Sequence, residues 1–173
     1  MIYISYMDSP VGRIYLHSSG EGLMALNLRE DKKTACEYEE REDEYIKQAK
    51  KELEEYFEGK LKVFTVKLDM QGTEFQKKVW GKLMEIPYGE LRTYAQIAES
   101  LGGKQYSRAV GTANKANPIP IIVPCHRVIR MGRRISNYSG GLDVQRKLFE
   151  IEGIEYGDIK YIKKDLPSSL TLI

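Results

Sequence analysis

The stretch Asn117-Pro118-Ile119-Pro120-Ile121-Ile122-Val123-Pro124-Cys125-His126-Arg127-Val128-Ile129 limits what this chain can fold into more than any other. Three of the seven residues from 118 to 124 are proline. Each proline locks φ, so together they fix the backbone just ahead of Cys125. It reads as a rigid connection, and what it holds rigid is Cys125. A cysteine beside His126 and Arg127 is read as sitting in an electropositive setting, which favours the nucleophilic thiolate. In an extended segment, Cys125 and His126 would point to opposite faces, so a bridging water is expected to carry a proton between them. His126 then needs a carboxylate to fix its tautomer, and Asp143, Glu150 and Glu152 all qualify. Cys36 lies in a charged, acidic stretch and is read as structural or incidental.

The 173 residues suit one large domain or two small ones, at about 100–200 residues per domain. With two cysteines and two histidines in all, neither a disulfide scaffold nor a zinc cluster is expected. No apolar run approaches the roughly 18 residues that span a bilayer. The N-terminus lacks a basic stretch followed by an apolar core. A soluble, cytoplasmic protein with no membrane partner is expected. Charge is uneven: residues 1–70 carry 11 Lys and Arg against 15 Asp and Glu, and residues 71–173 carry 16 against 10. The second part is therefore expected to meet something anionic, with nucleic acid the first candidate and a solvated basic face the alternative.

Along the chain, Ile2 and Ile4, Ile14 and Leu16, and Leu26 and Leu28 alternate in short segments between turn-formers, the pattern of a three-stranded antiparallel meander. Residues 30–44 read as a charged loop or frayed helix start. Apolar residues from Tyr45 to Phe57 recur at helical spacing up to Gly59. Val63, Phe64, Val66 and Leu68 suggest a further strand, followed by a linker around 69–72. The second part is helical. Capping boxes at Thr73–Gln76 and Thr93–Gln96 open two helices, and Ser107 is placed as the cap of a third running to about Ala116. Two short helices joined by Gly102-Gly103 resemble a helix-turn-helix. The second, Arg108-Ala109-Val110-Gly111-Thr112-Ala113, is unusually small in its side chains. That suits either packing on a neighbouring helix or entry into a narrow groove.

Pro124-Cys125-His126-Arg127-Val128, preceded by Asn117-Pro118 and followed by Asn137-Tyr138-Ser139-Gly140-Gly141, resembles the O6-alkylguanine-DNA alkyltransferases, also called methylated-DNA–protein-cysteine methyltransferases. Arg108-Ala109-Val110-Gly111 and Thr93-Tyr94 match too, and the resemblance covers about residues 73–153. It implies a ribonuclease H-like α/β domain over residues 1–70, an antiparallel sheet plus helix. It also implies a mostly α-helical domain with a helix-turn-helix over 71–173. Cys125 would take an alkyl group from O6 of guanine in duplex DNA, irreversibly and without a cofactor or metal, in a monomer. O4-alkylthymine activity and the preferred alkyl size are left open.

The resemblance further implies roles for single residues. His126 would act through a water, with Glu152 completing the network. Tyr94 would rotate the phosphate and donate to guanine N3, and Arg108 would fill the vacated base stack. Thr93, Ala109 and Gly111 would join them at the DNA face, with Asn117 as a hinge. Val128, Tyr138, Ser139, Pro120 and Ser136 would line the base pocket. The chain departs from the family pattern at Ser136, where many relatives have glycine. Serine there is expected to restrict the loop and narrow the pocket mouth. Two competing readings are a cysteine hydrolase using Cys125 and His126, and a DNA-binding regulator whose cysteine senses alkylation or oxidation.

Overall fold

The computed structural model describes residues 1–30, 37–130, 138 and 140–155. The chain divides into two compact units, Met1–Gln71 with Pro118–Ile122, and Gly72–Asn117 with Val123–Ile173. Cys36 lies outside the described residues.

In the first unit, β1 (Ile2–Ser9), β2 (Gly12–Ser18) and β3 (Leu23–Asn27) form the expected antiparallel meander. The register sets Met7 opposite Ile14 and Leu16 opposite Leu26. Period-two alternation puts these residues on one face, and all four are buried. The helix α1 (Glu44–Phe57) supplies Ile46, Ala49, Leu53 and Tyr56 to the same core. Asp43 caps it, accepting from Ile46 N at 2.9 Å and from the Ser18 hydroxyl.

Two expectations fail here. Part of the charged stretch read as a loop is β4 (Tyr38–Glu40), parallel to β1 at the sheet edge, in the order β3-β2-β1-β4. Its three residues are all exposed, so no apolar alternation could betray it. Residues 63–68 form no strand. Only Leu68 bridges to Leu23, with Leu23 N donating to Lys67 O at 2.9 Å. The segment is fastened instead by Glu52, 7% exposed, which accepts from Thr65 N at 3.0 Å, Thr65 Oγ1, Val66 N at 3.2 Å and Gln48 Nε2 at 3.0 Å.

The proline-rich stretch belongs to both units. Pro118 O accepts from Leu26 N at 2.9 Å, and Ile119 and Ile121 are buried. Ile121 holds φ at +75°, a region costly for a β-branched side chain.

In the second unit, both capping boxes form as expected, at Thr73–Gln76 for α2 (Glu74–Met84) and at Thr93–Gln96 for α3 (Tyr94–Ser100). Trp80 is buried, and its Nε1 donates to Ala113 O at 2.9 Å, tying α2 to α4 (Ser107–Lys115). Ser107 is not the cap expected of it. A 3-10 turn, Lys104–Tyr106, precedes α4, and the Ser107 hydroxyl donates back to Lys104 O at 2.6 Å. Gly103 makes the reversal between α3 and that turn at φ +151°, which a side chain would resist.

A two-residue parallel ladder joins β5 (Arg92–Thr93) to β6 (Val128–Ile129). The helix α5 (Leu142–Glu152), which the sequence reading did not delimit, packs Phe149 with Leu91, Ile129 and Ile154. It stops at Gly153, φ +70°, with Ile154 N donating to Phe149 O at 2.8 Å, a Schellman end. Among the described residues, no helix is long and apolar enough to cross a membrane.

Glu52 generates a test of the first unit. Burial pushes its carboxyl up, but the donors of Thr65, Gln48 and Val66 outweigh that and hold it below its ordinary value of 4.5. Its contribution to stability is therefore full above that value and fades as pH falls through the lowered one. Glu52→Gln turns an amide N–H toward these donors and is expected to cost about 1–3 kcal/mol at pH 7. In urea unfolding followed against pH, the gap from wild type should narrow below pH 4.5.

Candidate active site

The nucleophile candidate stands on a tight 3-10 turn, Cys125–Arg127, not on the extended segment that the prolines suggested. All three side chains are buried. The turn is held by its carbonyls. Asn117 Nδ2 donates to Val123 O at 2.8 Å, Gln145 Nε2 to His126 O at 3.0 Å, and Asn114 Nδ2 to Cys125 O at 3.5 Å. These amides come from the end of α4, from α5 and from within α4. Asn114 and Gln145 were missed in sequence, where a lone amide carries no signal of its partner.

Of the three carboxylates open in the sequence, the structure brings Glu152 to His126, with Glu152 Oε2 3.2 Å from His126 Nε2. That carboxylate stabilises the tautomer protonated on Nε2. Nδ1 remains as the acceptor, buried and with no partner among the described residues. Arg127 turns away from Cys125. Its Nε donates to Glu152 Oε1 at 3.0 Å and Oε2 at 3.2 Å, Nη2 adds a further contact to Oε1, and Nη1 donates to Ile86 O at 2.8 Å.

The electropositive setting expected of Arg127 is thus spent on Glu152. Burial pushes the Cys125 thiol up to about 11, against the pull of Asn117, Tyr138 and the backbone N–H groups of residues 125 and 126. Those donors are the groups that would hold a thiolate once its proton had left. Burial pushes His126 below its ordinary value, with Glu152 opposing and Arg127 adding to the fall. Burial would raise Glu152 as well, but His126 and Arg127 outweigh it and hold the carboxyl down at about 2.

Cys125 opens onto a cavity of about 460 Å³ with Tyr94, Arg108, Gly111, Asn114, Lys115, Arg130 and Tyr138 in its walls. Arg108, Ala109, Thr112 and Lys115 are exposed on α4, while Val110 and Ala113 are buried. The open side of α4 therefore carries two short side chains, Ala109 and Thr112, between the long Arg108 and Lys115. An added Cβ at Gly111 would meet the Tyr94 ring at 3.9 Å, ordinary contact, so internal packing does not demand glycine there.

Other expected site residues lie elsewhere. Thr93, placed at the DNA face in sequence, is 1% exposed and its hydroxyl caps α3. It serves by setting Tyr94 at the first helical position. Val128 is buried in β6, and Pro120 is buried within Pro118–Ile122 of the first unit. Ser136, Ser139 and Asn137 lie outside the described residues.

A family model described as the 6-O-methylguanine DNA methyltransferase ribonuclease-like domain matches residues 2–70. Its DNA-binding-domain companion matches residues 74–154. The chain belongs to this family. A methylated-DNA–protein-cysteine methyltransferase of Methanosarcina acetivorans is 48% identical over 155 residues, covering 88% of this chain and 99% of its own length. A constitutive one of Bacillus subtilis is 39% identical over 162 residues, covering 90% and 98%. Among solved structures, Mycobacterium tuberculosis OGT in complex with DNA superposes with a TM-score of 0.79 at 40% identity, covering 87% of this chain and 93% of that one.

For a methyltransferase of this family, the geometry predicts that the sulfur depends on the imidazole beside it. In a Cys36→Ser background, His126→Gln should slow labelling of Cys125 by iodoacetamide at neutral pH by roughly 10-fold or more. Mass spectrometry of the labelled chain reads the rate. Equal rates with and without the imidazole would refute a proton path from Cys125 to His126.

Proposed function

We propose that this protein repairs DNA by moving an alkyl group, typically methyl, from O6 of guanine in duplex DNA onto Cys125, once per molecule. The observation that carries the reading is a buried, donor-surrounded thiol lining the same cavity as Arg108, Gly111, Thr112 and Lys115 of α4. Membership of the family and the DNA complex of the Mycobacterium tuberculosis relative support duplex DNA as the partner. The short exposed Ala109 and Thr112 suit close approach to a minor groove about 6 Å wide, with the longer Arg108 and Lys115 on either side of them,. Arg108, Lys115 and Arg130 around the cavity supply positive charge for phosphates,.

Guanine O6 inside a duplex is beyond the reach of a protein sulfur, so the base must leave the stack at a cost of a few kcal/mol. Arg108, exposed at the start of α4, fills the gap with its guanidinium plane. In the cavity, the Cys125 proton passes through a water to His126 Nδ1, and Glu152 stabilises the imidazolium that results. The sulfur attacks the alkyl carbon, a C–S bond forms, and the C–O6 bond breaks with its electron pair going to the guanine. Tyr94, which lines the same cavity as Cys125, donates a proton to N3 and offsets the charge arriving on the ring; the proton held by His126 then returns through solvent to the Tyr94 oxygen, so both side chains end neutral. The product is a thioether, which water does not cleave. All the described residues invoked here belong to one unit of a single copy, which supports action as a monomer.

Mixing stoichiometric protein with duplex carrying O6-methylguanine tests the reading. Guanine should be restored up to one equivalent, with one methyl on Cys125, and then stop. Repair beyond one equivalent would favour a turning-over hydrolase, and binding without transfer would favour a regulator. Cys125→Ala should abolish transfer and leave duplex binding largely intact, and transfer to Cys36 in that variant would overturn the assignment.

A further expectation separates extrusion from chemistry. Arg108→Ala and Tyr94→Ala should slow repair of duplex by roughly 10-fold or more, since holding a flipped base is worth a few kcal/mol. Reaction with the free alkylated base should suffer much less in Arg108→Ala, and by an intermediate amount in Tyr94→Ala, which also loses the donor to N3. Equal losses on both substrates in Arg108→Ala would place that residue in the chemical step.

A further inference from the structure

Arg127 is turned to Glu152 rather than to the thiol, and it is buried. Its side chain is 7% exposed and that of Glu152 is fully buried. The guanidinium straddles both carboxylate oxygens, anchors through Nη1 on Ile86 O at 2.8 Å, and lies 5.7 Å from the Tyr88 ring centre. Tyr88 in turn donates its hydroxyl to Ile151 O at 2.9 Å. The fork is therefore fixed from three sides.

The chemistry explains why such a fork is useful. Glu152 is the last residue of α5, where the helix dipole already presents negative charge. A buried carboxylate there needs a cation beside it at all times. His126 is a cation only after it has taken the Cys125 proton. Before that step the imidazole must be neutral, or it has nowhere to put the proton. A guanidinium is charged in both states. We propose that Arg127 is a positioning residue that keeps the Glu152 carboxylate compensated while His126 is neutral, holding the imidazole ready to accept the Cys125 proton.

Among the described residues, these groups face His126. Glu152 comes from α5, and Arg127 and Cys125 from its own turn. Tyr138 stands edge-on with ring centres 6.4 Å apart, and Tyr88 meets it only through Glu152 and Arg127. Without the guanidinium, a protonated His126 is the cation that the described contacts leave to Glu152. The imidazole would then be occupied before the thiol could use it. This inference rests on the alkyl-transfer reading for its consequence, but not for its geometry.

The test uses the full chain with Arg127→Met and Arg127→Lys, and two readouts. Nuclear magnetic resonance follows the titration of the His126 ring in protein alone. Transfer from O6-methylguanine duplex is then timed from pH 5.5 to 9.

In Arg127→Met, His126 should titrate about one unit or more higher than in wild type, which is a 10-fold change in proton affinity. The acid limb of the rate profile should move up with it, so that transfer recovers at alkaline pH. Arg127→Lys keeps the charge but not the fork, and should show the same two shifts at smaller size. If the Met variant does not fold by circular dichroism, the Lys variant carries the test. An unchanged His126 titration in a folded variant overturns the proposal, and so does a rate loss that is uniform across pH. A wild type that takes up no methyl would sink the functional reading instead, and the ring titration would still decide the role of Arg127.

Discussion

A carboxylate shut away from water at the negative end of a helix is unstable unless a cation meets it, and in this protein Arg127 does, with the His126 imidazole beside it. Glu152 closes α5 and receives Arg127 and His126 together. Because those two residues are neighbours in one 3-10 turn, the carboxylate fixes the turn's direction, and with it the direction of Cys125. Arg127 extends the same fixing to Ile86 beyond the end of α2. Gly153 stops α5 at the residue that must bear the charge. Local chain chemistry, through a left-handed glycine, thus places a side chain whose purpose is entirely non-local.

The first unit uses the same device for a different end. Glu52 on α1 gathers the backbone of Thr65 and Val66 as a strand neighbour would, and the irregular run from 60 to 68 needs no ladder of its own. Hydrogen bonds to an ionised acceptor are stronger than neutral ones, so one side chain can replace a short stretch of pairing. In both units a buried acid stands where regular structure runs out.

How much of this was legible in the chain depends on how far each interaction reaches. The two capping boxes were read correctly because they join residues three apart, and the meander because its alternation is written in each strand separately. β4 was missed because its partner β1 is more than thirty residues away and its own residues are polar. The failed strand at 63–68 has apolar residues of the right kind, but a lone bridge and Glu52 take its backbone groups. Ser107 looked like a cap and became helix, since the 3-10 turn before it had already begun the coil. At the site, Cys125 and His126 stood out by their setting. Residue type alone left Glu152, Glu150 and Asp143 open and the family resemblance named Glu152, whereas seeing Arg127 turn away from the sulfur required the turn that only folding supplies.

The indole of Trp80 reaches Ala113 O, a carbonyl near the end of α4. It grips the helix from its buried side and leaves Ala109, Thr112 and Lys115 untouched on the other. The hold on α4 is therefore independent of what α4 displays. Such a helix behaves like an interchangeable plate on a fixed mount: its outward letters can be rewritten by drift or by design without changing the angle at which they are presented.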